Sequence, residues 1–69
     1  MNQVRALRRS KDISQYELSR RTKIPQSTLS LIERFYKIPN AKMKRRISTA
    51  LGCELRKAFP VIIKTKGGE

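Results

Sequence analysis

Apolar residues recur along this chain at three- and four-residue intervals, in short runs each closed by a turn signal. That spacing predicts five short helices. In the first run Val4 and Leu7 fall at i and i+3, with Arg5, Arg8 and Arg9 on other faces and Lys11-Asp12 as the exit. The second opens on Ser14-Gln15-Tyr16-Glu17, the pattern of a capping box. In such a box Ser14 accepts from the backbone N–H of Glu17, and the Glu17 side chain reaches back to the N–H of Ser14. Leu18 is the inward residue of this run. Ile24-Pro25 marks the next boundary, because proline lacks an N–H and has a fixed φ that suits the start of a helix and forbids its middle. From Gln26 onward, Leu29 and Ile32 share one face, while Ser27, Ser30, Leu31 and Arg34 share the other.

Tyr36-Lys37-Ile38-Pro39 reads as extended chain leading to Asn40, a good N-cap for a fourth helix from Ala41 to Leu51. Met43, Ile47, Ala50 and Leu51 form its apolar stripe, ringed by Lys42, Lys44, Arg45 and Arg46, and Gly52 is a ready C-terminal cap. Glu54 to Phe59 reads as a last short turn with Leu55 and Phe59 inward, stopped by Pro60. Beyond it, Val61-Ile62-Ile63 is a β-branched run followed by a polar KTKGGE end. The expected organisation is one all-α domain, a compact bundle over residues 1–60, and an extended C-terminal tail over residues 61–69 that forms a strand or a dimerisation segment.

With 69 residues the core must be economical, since a chain this short buries only about 60% of the surface its unfolded form exposes. Charge changes the picture more. Seventeen Lys and Arg against five Asp and Glu give a net charge of +12, which points to a polyanionic partner, either nucleic acid or an acidic membrane surface. No apolar run approaches the ~20 residues of a membrane span, and the opening MNQVRALRRS lacks a signal-peptide core, so a cytoplasmic location is expected. Chemistry by side chains is sparse. There is no histidine, the commonest general base and metal ligand. Cys53 stands alone, so no disulfide or thiolate metal site can form within one chain, and a buried small hydrophobe is its expected role. No enzyme activity, cofactor, metal site or small-molecule substrate is expected.

Set side by side, the second and third helices share the apolar positions Leu18, Ile24, Leu29 and Ile32 across the turn Thr22-Lys23-Ile24-Pro25. Two short helices packed steeply in this way leave one face of the second free to enter a major groove. Ser14 to Arg34, SQYELSRRTKIPQSTLSLIER, resembles the helix-turn-helix of the phage-repressor family (lambda-repressor-like, XRE-type). Arg8, Gln15-x-x-Leu18, Pro25-Gln26-Ser27-Thr28-Leu29-Ser30, Glu33-Arg34, Pro39 and Ala50-Leu51-Gly52 all fall at that family's spacing, so the resemblance covers nearly the whole chain from Arg5 to Phe59.

The resemblance implies sequence-specific binding of double-stranded DNA by a transcriptional regulator, a repressor, with the third helix in the major groove. It implies that Gln15 binds a phosphate, that Gln26, Ser27 and Leu31 face the bases with Thr28 and Ser30 at the edge, and that Arg34, Lys37 and Lys42 hold the backbone. It also implies an internal ion pair between Arg8 and Glu33; the alternative is two solvated charges worth almost nothing. In bare chemistry, Gln26 can bond bidentately to adenine and Leu31 can meet a thymine methyl. Two positions depart from the family. Lys23 and Phe35 stand where glycine is common; a non-glycine residue in a left-handed turn costs about 1 kcal/mol unless the turn takes another form. The exit after Arg34 is therefore expected to differ, with Phe35 or Tyr36 packing away from DNA. A homodimer through the C-terminal region, built on Val61, Ile62 and Ile63, is the expected assembly. Alternative functions are a basic RNA-binding module and a protein-interaction module, such as an antitoxin, that also binds DNA.

Overall fold

The computed structural model describes residues 2–60. The strand and dimer contacts expected of Val61, Ile62 and Ile63 lie outside the described residues. Five helices follow one another: α1 Val4–Ser10, α2 Gln15–Thr22, α3 Gln26–Glu33, α4 Ala41–Leu51 and α5 Leu55–Ala58. Each contributes one or two side chains to a single core, in which Val4, Leu18, Leu29, Ile32 and Ile47 are completely buried. α2 lies at the centre, packed against α3 on one side and α4 on the other.

Local chemistry sets the helix ends. Ser14 Oγ accepts from the Glu17 N–H at 3.0 Å, and Asn40 Oδ1 accepts from the Met43 N–H at 2.9 Å. The reciprocal half of the expected capping box does not form, because the Glu17 carboxylate turns forward to Arg21 at 3.0 Å, one turn along the same helix. Asn2 replaces a cap for α1 that sequence patterning did not anticipate. Its Oδ1 accepts from the Val4 N–H at 3.1 Å and its Nδ2 donates to the Ile32 carbonyl at 3.0 Å, fastening the start of α1 to α3.

Among the described residues four are left-handed, and of these only Gly52 is glycine; Asp12, Lys23 and Phe35 take the others at φ 57°, 60° and 66°. Both positions where glycine was the expected residue are thus left-handed and are held by less suitable residues. At the end of α3 the Phe35 N–H donates to Ile32 and the Tyr36 N–H to Leu31, the paired bonds that close a helix through a left-handed residue. Phe35 and Tyr36 do not pack into the core: they are 55% and 74% exposed. With its backbone turned left-handed, Phe35 directs its ring outward. Two smaller expectations are also corrected. Leu55 is exposed, and Ala58 takes the inward position beside Phe59, since a four-residue helix presents only one side chain squarely to the core. Cys53 is half-buried against the core's edge rather than enclosed.

Backbone strain at these ends yields a direct expectation. Lys23→Gly and Phe35→Gly each relieve a left-handed penalty of about 1 kcal/mol. For a domain this small each should raise the melting temperature by about 4–8 °C. Thermal denaturation followed by circular dichroism checks this, and a fall in melting temperature for both variants would show that the lost side-chain contacts outweigh the strain.

Candidate nucleic-acid interface

The α2–turn–α3 unit is fixed by hydroxyl groups as well as by its shared core. Thr22, almost fully buried, donates through Oγ1 to the Leu18 carbonyl at 2.8 Å and accepts from the Ile24 N–H at 3.3 Å. Ser19 Oγ donates across the turn to the Ile24 carbonyl at 2.6 Å. Pro25 then begins α3 from an extended backbone.

α3 is divided sharply between two faces. Leu29, Ile32 and Glu33 are buried, whereas Gln26, Ser27 and Leu31 are exposed and Thr28 and Ser30 are half-buried at the boundary. Leu31 keeps 40% of its surface in solvent, among polar neighbours. Half-buried Gln15, at the start of α2, is drawn to this face: its Oε1 accepts from Gln26 Nε2 at 3.3 Å. Arg34, Lys37 and Lys42 are all exposed, the first two following α3 and the third in the first turn of α4.

Arg8 and Glu33 meet beneath this surface. Arg8 Nε donates to Glu33 Oε2 at 2.8 Å and Nη2 to Oε1 at 3.1 Å, a two-pronged pair, while Nη1 donates to the Ile13 carbonyl at 3.0 Å. Their side chains retain only 12% and 3% exposure, so the pair is shielded from water and joins α1 to the end of α3.

The structure adds cations that sequence reasoning did not assign. Arg5 and Arg9 of α1 border a shallow recess together with Gln15, Ser30 and Arg34. Their i, i+4 spacing on either side of Arg8 is the signal that could have found them, since it places both on the exposed flank of the residue that anchors α1. Arg34 is also steadied from outside: its guanidinium lies 5.0 Å from the centre of the Tyr36 ring, a cation–π contact. Among the described residues no three His, Cys, Asp or Glu side chains come together as a metal site, and no helix is long and apolar enough to cross a membrane. The surface offers hydrogen-bonding amides and hydroxyls, one apolar contact and exposed positive charge. A family model described as helix-turn-helix matches residues 4–57, most of the chain. No curated protein matches it.

Proposed function

This chain belongs to the phage-repressor type of the helix-turn-helix DNA-binding family, and from that premise we propose that it is a transcriptional repressor that reads a specific duplex sequence with α3 in the major groove. The observation that carries this reading is the exposed face of α3. Gln26, Ser27 and Leu31 stand free in solvent on a helix whose other face is wholly committed to the core. A major groove admits one helix, and these side chains supply an amide for adenine, a hydroxyl, and an apolar contact for a thymine methyl. Thr28 and Ser30 bound the contact. Gln15, Arg34, Lys37 and Lys42, joined by Arg5 and Arg9, hold the phosphates and set the register.

Selection of bound sites from random duplex DNA tests the proposal; failure to enrich any motif would reduce it to non-specific binding. Within the preferred site, Gln26→Ala should lose about 1–3 kcal/mol, and much less on random DNA, because a base contact is lost. Lys37→Ala should weaken both about equally, as expected of a phosphate contact. Equal losses for Gln26→Ala on both duplexes would move the reading surface elsewhere.

Residues 1–60 form the DNA-binding unit in this reading, and residues 61–69 contribute to a homodimer. One module covers a short half-site, and pairs of such modules read two-fold symmetric sites. Supporting the dimer is a groove of about 420 Å³ lined by exposed Phe35 and Ile38 together with Lys37, Lys44, Phe59 and Pro60, the last of which directly precedes Val61 in the sequence. Truncation after Phe59 should lower the mass measured by sedimentation equilibrium while the helical circular-dichroism signal persists. A full chain that stays monomeric at high concentration, free and on DNA, would remove the dimer from the proposal.

A further inference from the structure

A second concentration of positive charge lies where the C-terminal end of α2 meets α4. Arg21 and Lys23, at the end of α2, and Arg45 and Arg46, on α4, line an open cleft of about 470 Å³ together with Thr22, Thr49 and Ala50. Arg21 is shared with Glu17, but Lys23, Arg45 and Arg46 have no ion pair among the described residues. Four cations crowded around one cleft repel one another, and no carboxylate lines it.

Lys23 adds an independent observation, since it occupies a left-handed conformation that glycine would hold without strain. A positive charge at a helix C-terminus is favourable in itself, yet Arg20 and Arg21 already supply that charge in the last turn of α2. At this position lysine brings a further cation to the rim of the cleft, which glycine would not.

We propose that this cleft docks an acidic segment of a partner protein, in which carboxylates meet Lys23, Arg45 and Arg46 and one apolar side chain rests against Ala50. A protein segment is favoured over nucleic acid by the form of the site. The Ala50 methyl, half-buried among the charges, offers an apolar contact that a phosphate does not use. Arg46 and Thr49 also lie about 6 and 10 Å farther along α4 than Lys42, the residue assigned to the DNA backbone. In this proposal the partner is held while α3 is occupied by a duplex, giving a DNA-bound regulator a place to carry a second protein.

The test uses the full chain and a fluorescein-labelled peptide of Asp and Glu residues around one Leu, followed by fluorescence anisotropy at moderate salt. Arg45→Gln/Arg46→Gln should weaken peptide binding about tenfold, the loss expected when two rim charges are removed from a complementary site. Lys23→Gly should also weaken it, and because that variant is expected to melt higher, the loss cannot be ascribed to unfolding. Replacing the peptide's Leu with Ser should weaken binding to the unaltered protein, and saturating duplex should leave the peptide bound. Absence of binding, unchanged affinity in both variants, indifference to the Leu, or displacement by duplex would each overturn the proposal. Duplex titrations of Arg45→Gln/Arg46→Gln separate this outcome from failure of the DNA reading. A salt slope lower by about two would place these arginines on phosphates and make the cleft part of the DNA footprint.

Discussion

Duplex binding by this protein is expected to fall about 500-fold between 50 and 200 mM monovalent salt for each module engaged. The figure comes from counting contacts. Arg5, Arg9 and Arg34 border one recess with Gln15 and Ser30, Lys37 and Lys42 are exposed, and under the proposed reading each of the five that neutralises a phosphate releases condensed counterions. Five such contacts give a slope of about −4.5 in log K against log salt, and a fourfold rise in salt then removes nearly three decades of affinity. A pair of modules on a symmetric site should double the slope. Nitrocellulose retention or fluorescence anisotropy across the salt range measures it directly. A binding constant that stays flat would sink the electrostatic account and the DNA reading with it.

The second large effect concerns stability. Glu33→Gln should lower the melting temperature by roughly 10–20 °C, corresponding to about 2–3 kcal/mol in a domain of this size. Glu33 is nearly inaccessible, and among the described residues its carboxylate is the only anion paired with the Arg8 guanidinium, so the amide leaves a shielded positive charge without its counter-charge. The estimate lies below the full cost of breaking a buried pair because glutamine retains one acceptor and Arg8 keeps its bond to the Ile13 carbonyl. Glu54→Gln is the comparison: its 3.8 Å contact with Arg56 lies in solvent, and its loss should be undetectable. Parallel thermal melts decide the order. If Glu54→Gln proved the more damaging, the Arg8–Glu33 contact would have no structural weight.

What the sequence made legible, and what it hid, divides along physical lines. Helix limits were readable where side chains write them: Ser14 and Asn40 accept from the backbone in the manner their types predict, Pro25 opens α3, and Gly52 closes α4 in the left-handed conformation. The two faces of α3 followed from the 3.6-residue period alone. The reversals at Lys23 and Phe35 were less legible because handedness there is a property of the backbone, imposed by the packing of adjoining helices against residues that do not favour it. Exposure of Phe35 and Ile38, in the groove that reaches Phe59 and Pro60, was hidden for the same reason. Arg5 and Arg9 disappeared into a general excess of positive charge. Only the placement of α1 beside Gln15 and Ser30 distinguishes them from other surface arginines. Glu17 was misread because two partners lay within its reach, and the mobile charge on Arg21 won over a backbone N–H.

The hydroxyl bonds that lock the turn between α2 and α3 bear on the mechanics of recognition. Thr22 and Ser19 tie the end of α2 to Ile24 in the turn, and Leu18, Ile24 and Leu29 share the core that joins α2 to α3, so the two helices form one stiff wedge. A stiff wedge pressed into a groove leaves any mismatch in curvature to the softer body, and duplex DNA bends or twists most readily at particular base steps. Under the proposed reading, site preference should therefore extend to base pairs that no side chain reaches, chosen for how cheaply they deform.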